Sequence, residues 1–425
     1  MKKIYLLGAS LLLLFQFDAY AQEETDPDEV SLKIISTRKP GLKIVEDFNE
    51  TTGQHYRDPK APRFLLYDQK REIAFGVGGF VRVRTAYDFG GSPTSDFGFV
   101  PATIPVPTDL LTKNRFNMDA SKSTLFFKLL GNNDKVGQFQ AYVAGRFSGA
   151  GGAFVLTDAY VTLLGFTVGR TWSTFNDLAA VPPTIDFQGP NGAAEMRTTQ
   201  IRYTGDFGKG FSYAVAAEMP NTTGTYAPTQ TVETTQRIPD IPVYVQYNWG
   251  EKKASHVRAA GVMRNMNYRD VINNTTETET SFGMQLSTNV ELTSFMEFYG
   301  QITYGKGIAQ YINDLSGRGL SLIQNPSKPG KMQAQEALGW FAQIQFNLSK
   351  DVYATAGYSQ AEVFPDQLTV PDSNYRYGQY IVGNVFYNLT TDFKVGVEYL
   401  WGDRVNIDGA SASANRVQTL IQFNF

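Results

Sequence analysis

Beyond residue 70 the apolar positions recur with a step of two. In 75–84, Val77, Val81 and Val83 alternate with Arg82 and Arg84, and successive strand residues point to opposite faces, so one face carries valine and the other arginine. The same rhythm returns at 125–129, 139–147, 154–164, 166–172, 199–203, 211–218, 241–249, 257–264, 282–286, 298–304, 338–346, 352–359, 377–387, 393–401 and 417–425, which makes about sixteen candidate strands. Each is near the length a tilted strand needs to cross a bilayer.

The connections alternate too. Segments 131–136, 165, 205–210, 250–254, 289–293, 348–351 and 389–392 are short. Those at 90–118, 173–196, 219–240, 265–278, 306–335, 363–374 and 403–415 are long, with 148–152 the exception. One rim of tight turns and one of long loops predicts an all-β, transmembrane, antiparallel up-and-down β-barrel of about sixteen strands, with extracellular loops and periplasmic turns. Closure removes the unpaired edges, which would cost several kcal/mol per group in lipid. Tyr203, Tyr247, Trp249, Tyr387, Tyr399 and Trp401 fall at strand ends, where aromatic rings favour the interface.

Composition narrows the function classes. The 425 residues contain no cysteine and only His55 and His256, which excludes disulfides, thiolate chemistry and a His-rich metal site. Lys+Arg 38 against Asp+Glu 41, with no basic block, gives no reason to expect nucleic acid. Ser255 and His256 are adjacent and so face opposite ways on a strand; they read as a turn-proximal polar pair, and neither an enzyme nor a cofactor is expected. Lys2 and Lys3, the apolar run to Phe17 and the small residues Ala19 and Ala21 predict a signal peptide at 1–21. Residues 22–70 lack the barrel rhythm and form an expected periplasmic extension, with small strands at 32–35 and 42–45; 71–425 is the barrel. The extension is too short for the folded plug of a TonB-dependent transporter.

If the apolar alternates face lipid, the opposite set faces the lumen. It holds Arg82, Arg84, Lys128, Arg146, Arg202, Arg258, Arg264, Lys394 and Arg416 against Asp88, Asp158, Glu218 and Glu398. Rings of Arg and Lys favour anions, and the guanidinium fork suits carboxylates. Passive passage of small anionic solutes is the leading reading. A receptor, adhesin or structural barrel with a closed lumen is the alternative, served by Thr- and Asn-rich stretches such as 221–235 and 273–280.

The run Gly169-Arg170-Thr171-Trp172-Ser173-Thr174-Phe175, with Asp177, Pro182-Pro183, Asp186-Phe187 and Gly189-Pro190 behind it, resembles the DcaP-like porins of Gram-negative outer membranes; Gln200-Ile201-Arg202-Tyr203-Thr204 matches the strand after that loop. The resemblance is specific over 73–205 and rests on strand rhythm elsewhere. It implies a sixteen-stranded, trimeric outer-membrane channel for small organic anions such as dicarboxylates, with a loop folded inward. Carried onto this chain, 173–196 is the constricting loop, bearing Asp177, Pro183 and Asp186 after Trp172, and Arg170, Arg197 and Arg202 are the basic positions beside it. The terminal Phe425 resembles the signal read by outer-membrane assembly machinery, and lipid and lipopolysaccharide are the expected surroundings. The family's periplasmic heptads are missing from 22–70, which leaves the extension's role open.

Overall fold

The computed structural model describes residues 32–37, 42–50, 62, 64–95, 98–251, 255–364 and 373–425. The expected signal peptide, His55 and residues 365–372 lie outside them. Sixteen strands form a closed antiparallel barrel: β1 Ile73–Phe89, β2 Thr124–Asn133, β3 Gly137–Arg146, β4 Val155–Leu163, β5 Phe166–Trp172, β6 Arg197–Gly208, β7 Phe211–Glu218, β8 Ile241–Trp249, β9 Ser255–Asp270, β10 Thr275–Thr293, β11 Met296–Lys306, β12 Glu336–Asn347, β13 Val352–Phe364, β14 Tyr375–Asn388, β15 Phe393–Asn406 and β16 Ser411–Asn424. Each pairs with its chain neighbours, and β16 closes on β1 from Asn415↔Phe89 to Asn424↔Phe80. Phe425 extends the seam by exchanging two backbone bonds of 3.1 Å with Gly79.

The alternation places side chains as a barrel requires. On β1, Val77 and Val81 are exposed outward while Arg82, Arg84 and Asp88 are buried inward; on β16, Val417 and Ile421 face out while Arg416, Gln418 and Gln422 face in. Among the described residues no helix is long and apolar enough to cross a membrane. Two hairpins on the short-turn rim close with two residues each. Leu164 and Gly165 sit at φ 52° and 81°, Lys209 and Gly210 at 53° and 88°, the left-handed pair whose twist matches antiparallel strands.

Three expectations about extent change. The stretches 265–278 and 403–415 are mostly strand: β9 and β10 run on to a four-residue turn at 271–274, and β15 and β16 meet at 407–410. Cross-strand bonds such as Thr278 Oγ1→Asn267 Oδ1 (2.7 Å) and Thr280 Oγ1→Asn265 Oδ1 (2.9 Å) hold that polar hairpin without apolar alternation. Leu32–Ser36 is a strand as expected, but 42–45 enters a helix, α1 Lys43–Glu50. Val45 and Phe48 fall on one helical face and pack with Leu65, Ala74 and Leu130 at the short-turn end of β1 and β2.

Candidate functional site

The inward carboxylates are all engaged. Asp88 takes Arg416 Nη2 at 2.9 Å and Ser92 Oγ at 2.6 Å; Asp158 takes Thr171 Oγ1 at 3.0 Å and Arg197 Nε at 3.1 Å. Glu218 accepts from Ser173 Oγ (2.7 Å) and Thr174 N (2.6 Å), and Glu398 from Ile185 N and Asp186 N, both at 2.7 Å. Hydrogen bonds contribute about 0.5–1.5 kcal/mol each, so Glu218 and Glu398 fix the backbone of 173–196 at points far apart around the barrel.

Other contacts of that segment reach still more strands. Asp177 Oδ2 meets His256 Nε2 on β9 at 2.7 Å and accepts from Ser287 Oγ on β10 at 2.6 Å. Thr355 on β13 and Asn384 on β14 donate to Pro183 O (3.0 and 3.1 Å), and Arg82 Nη2 on β1 donates to Ile185 O at 2.6 Å. Gly192 N donates to Ser359 Oγ at 2.9 Å and Ala194 N to Gln301 Oε1 at 2.6 Å. Burial works to raise the Asp177 carboxyl, but Arg258 and the His256 and Ser287 contacts hold it well below the usual carboxylate range. Ser255 and His256 begin β9 beside the 250–254 connection, and His256 is buried there as an anchor for Asp177. Asp314 Oδ2 accepts from Ala102 N (3.0 Å) and Asn191 Nδ2 (3.3 Å), so it ties three connections together, and burial pushes its carboxyl up to about 7.

Next to those anchors lies a polar cavity of about 330 Å³. Among the described residues its basic lining is Lys122, Arg146, Arg170 and Arg197 and its acidic lining is Glu195; Trp172, Phe187 and Asn313 also border it. Arg197 is paired with Asp158 and lies 3.5 Å over the Trp172 ring. Among the described residues Arg170 has neither hydrogen-bond nor ion-pair partner. Arg170 shares strand parity with exposed Phe166 and Val168, yet lines the cavity; Gly169 before it adopts φ 132°, a backbone state that only glycine takes readily. Larger hollows occur on the apolar outer wall, near Ile201 and Met219 and near Leu286 and Ile302. They are grooves between outward side chains and hold no convergent set of polar groups.

Of the residues expected at a pore, the cavity gathers Arg146, Arg170, Trp172 and Arg197. Arg202 and Arg258 sit apart from it on β6 and β9; Arg258 Cζ lies 4.1 Å over Tyr244 and its Nη1 donates to Asn176 O at 2.7 Å. Arg84 donates to Asn117. Lys128 donates to Phe48 O on α1 at 2.8 Å, and Arg264 pairs with Asp240 at 2.9 Å. Asp177, Pro183 and Asp186 are buried at the anchors. Lys122, Glu195 and Asn313 were not legible as site residues, because loop positions have no parity to read. Lys122 is pushed down to about 8, first by burial and then by the Arg146 charge.

With this geometry in hand, a family profile described as the porin subfamily matches residues 72–424. Comparison with curated proteins gives no match. Among solved structures, the outer membrane channel DcaP of Acinetobacter baumannii is 20% identical with a TM-score of 0.72, over 84% of this chain and 99% of that one. An anion-selective porin from Comamonas acidovorans is 12% identical with a TM-score of 0.54, over 83% and 100%. The trimer form of OmpT of Vibrio cholerae is 12% identical with a TM-score of 0.50, over 83% and 99%.

Proposed function

Because the chain belongs to the porin subfamily, we propose that it is a passive outer-membrane pore preferring small organic anions, dicarboxylates among them, with 173–196 as its constriction. The observation that carries this reading is the cavity: among the described residues four cations line it against one acid, and the Arg170 side chain has no partner. Positive lining lowers the entry cost of an anion, and contacts that stay partial let it leave. The planar guanidinium forks of Arg146, Arg170 and Arg197 suit a carboxylate's two oxygens. Of the wall acids, Asp158 pairs with Arg197 at the cavity, whereas Glu218 and Glu398 do not line it and accept backbone N–H groups of 173–196. No bond is made or broken in the solute.

The same reading puts the short-turn rim, with α1 and both barrel termini, in the periplasm, as an even strand number requires. Lipid and lipopolysaccharide would surround the apolar outer face, and assembly machinery would read the strand ending in Phe425. The description of the Comamonas porin as anion-selective supports the charge preference, and the OmpT trimer form supports a homotrimer. A closed-lumen receptor or structural barrel draws support from the burial of inner-face Gln285, Gln301, Gln343 and Ser359.

Reversal potential across a salt gradient in planar bilayers tests both. The protein should conduct with anion preference, and Arg146→Gln, Arg170→Gln and Arg197→Gln together should lower the anion-to-cation permeability ratio by about an order of magnitude. No conductance would favour the closed barrel; conduction with an unchanged ratio in the triple variant would make the basic cavity structural.

A further inference from the structure

Phe187 is buried, with 6% of its surface exposed, yet it belongs to none of the apolar clusters among the described residues. Its ring is instead surrounded by cations. Arg146 Cζ lies 4.4 Å from the ring centroid, Arg82 Cζ 5.2 Å and Lys122 Nζ 5.6 Å. These come from three separate places in the chain: β3, β1 and the connection before β2.

The backbone on either side of the ring is fixed. Ile185 N and Asp186 N donate to Glu398. Asp186 Oδ1 accepts from Phe99 N at 3.0 Å and from Gln188 N at 3.2 Å, and Tyr380 donates to Asp186 Oδ2 at 3.2 Å. Asn313 Nδ2 holds Gln188 O at 2.9 Å. A phenyl ring mounted so rigidly has little freedom to move aside, and its negative face attracts the cations that border it.

We propose that Phe187 is a positioning residue for solute selectivity: its ring holds Arg146 and Lys122 at the cavity margin, with Arg82 behind them, and so sets the spacing of the positive charges a passing anion meets. This rests on the proposed anion preference of the same cavity. Three like charges gathered in one place repel; Arg82 is also held by Ile185 O and Gln422 Oε1, and the ring is the attractive surface that all three share. A carboxylate in the ring's place would also relieve the repulsion, but it would neutralise the field that the solute needs. A neutral ring concentrates cations while leaving their net charge available.

The test separates ring electronics from ring size. Phe187 is replaced with Leu, with Trp, and by a fluorinated series from 4-fluoro- to 3,4,5-trifluorophenylalanine, which keeps the shape while draining the face of negative potential. Anion-to-cation permeability is read from reversal potentials, and the pH midpoint of conductance attributed to Lys122 is read alongside. The ratio should fall about threefold in Phe187→Leu, stay near the parent in Phe187→Trp, and decline stepwise along the fluorinated series. The pH midpoint should move down in the same order, because the ring favours the ammonium form. A trifluorinated protein with the parent's ratio and midpoint overturns the proposal. A parent without anion preference overturns the anion reading instead, and the midpoint series still decides whether the ring holds the cations.

Discussion

Lys122 is the cavity cation whose charge can be removed by ordinary changes of pH. The guanidinium groups beside it keep their protons at any workable pH, whereas burial and the Arg146 charge bring this ammonium down to about 8. The folded protein therefore binds the Lys122 proton less tightly than the free side chain does. Below about pH 7 the charge is present; it is lost as pH rises through about 8. Anion preference should fall between about pH 7 and 9, and Lys122→Arg should flatten that profile while Lys122→Gln shows the reduced value throughout. Reversal potentials over the pH range decide it, and a parent profile as flat as that of Lys122→Arg removes Lys122 from the selective charges. At this scale the sequence was partly legible. Parity pointed Arg146 and Arg202 inward, but Arg170 escaped the rule through the backbone turn at Gly169, and Lys122 and Phe187 sit in connections where no period exists.

Among elements, the strands were legible and the work of the connections was not. Alternation marked every barrel strand because each has an apolar outer face, whereas the hairpin 265–280 is polar on the face turned away from its buried Met266 and Tyr268 and so reads as a loop although it is strand. The inward acids were visible from parity, yet their role as fasteners depends on a path of 173–196 that only the tertiary structure supplies. Glu398 is the clearest fastener. It accepts from Ile185 N, Asp186 N, Asn384 Nδ2 (2.9 Å) and Gln418 Nε2 (2.7 Å). Glu398→Gln keeps the size but leaves one acceptor oxygen for four donors, and a stranded buried donor costs about 1–3 kcal/mol. The 183–188 stretch should detach part of the time, giving single-channel currents that are larger and noisier than the parent's. Deleting 178–189 should raise conductance without the noise, since no segment remains to come and go. Equal conductance in all three proteins would move the constriction elsewhere.

Across the whole molecule the barrel interior divides into two halves. Beside β10 to β13 the inner face is covered by the connections, and Gln285, Gln343 and Ser359 are buried. Beside β3 to β8 the cover is partial: Gln140, Thr167 and Gln200 are buried, but Tyr142, Tyr160, Thr162, Arg202 and Gln246 are half-buried, and Thr204 is exposed. The basic cavity is lined by residues of β3 to β6, Arg146, Thr157, Arg170, Trp172 and Arg197 among them, and we expect this lining and the partly covered wall to form one path. The strands follow the same division, from the seven residues of β5 to the nineteen of β10. Because the natural chain has no cysteine, single cysteines can map this path with thiol reagents and no background. Thr162→Cys and Thr204→Cys should react with a water-soluble methanethiosulfonate about ten times faster than Gln285→Cys and Gln343→Cys, since reaction requires an exposed thiolate. On the accessible wall the sulfonate-bearing reagent should also outpace its quaternary ammonium counterpart, relative to their rates on a free thiol, because it enters past the arginines. Uniform rates around the barrel would mean that the connections leave the lumen open on every side; equal relative rates for the two reagents would separate the accessible wall from the basic cavity.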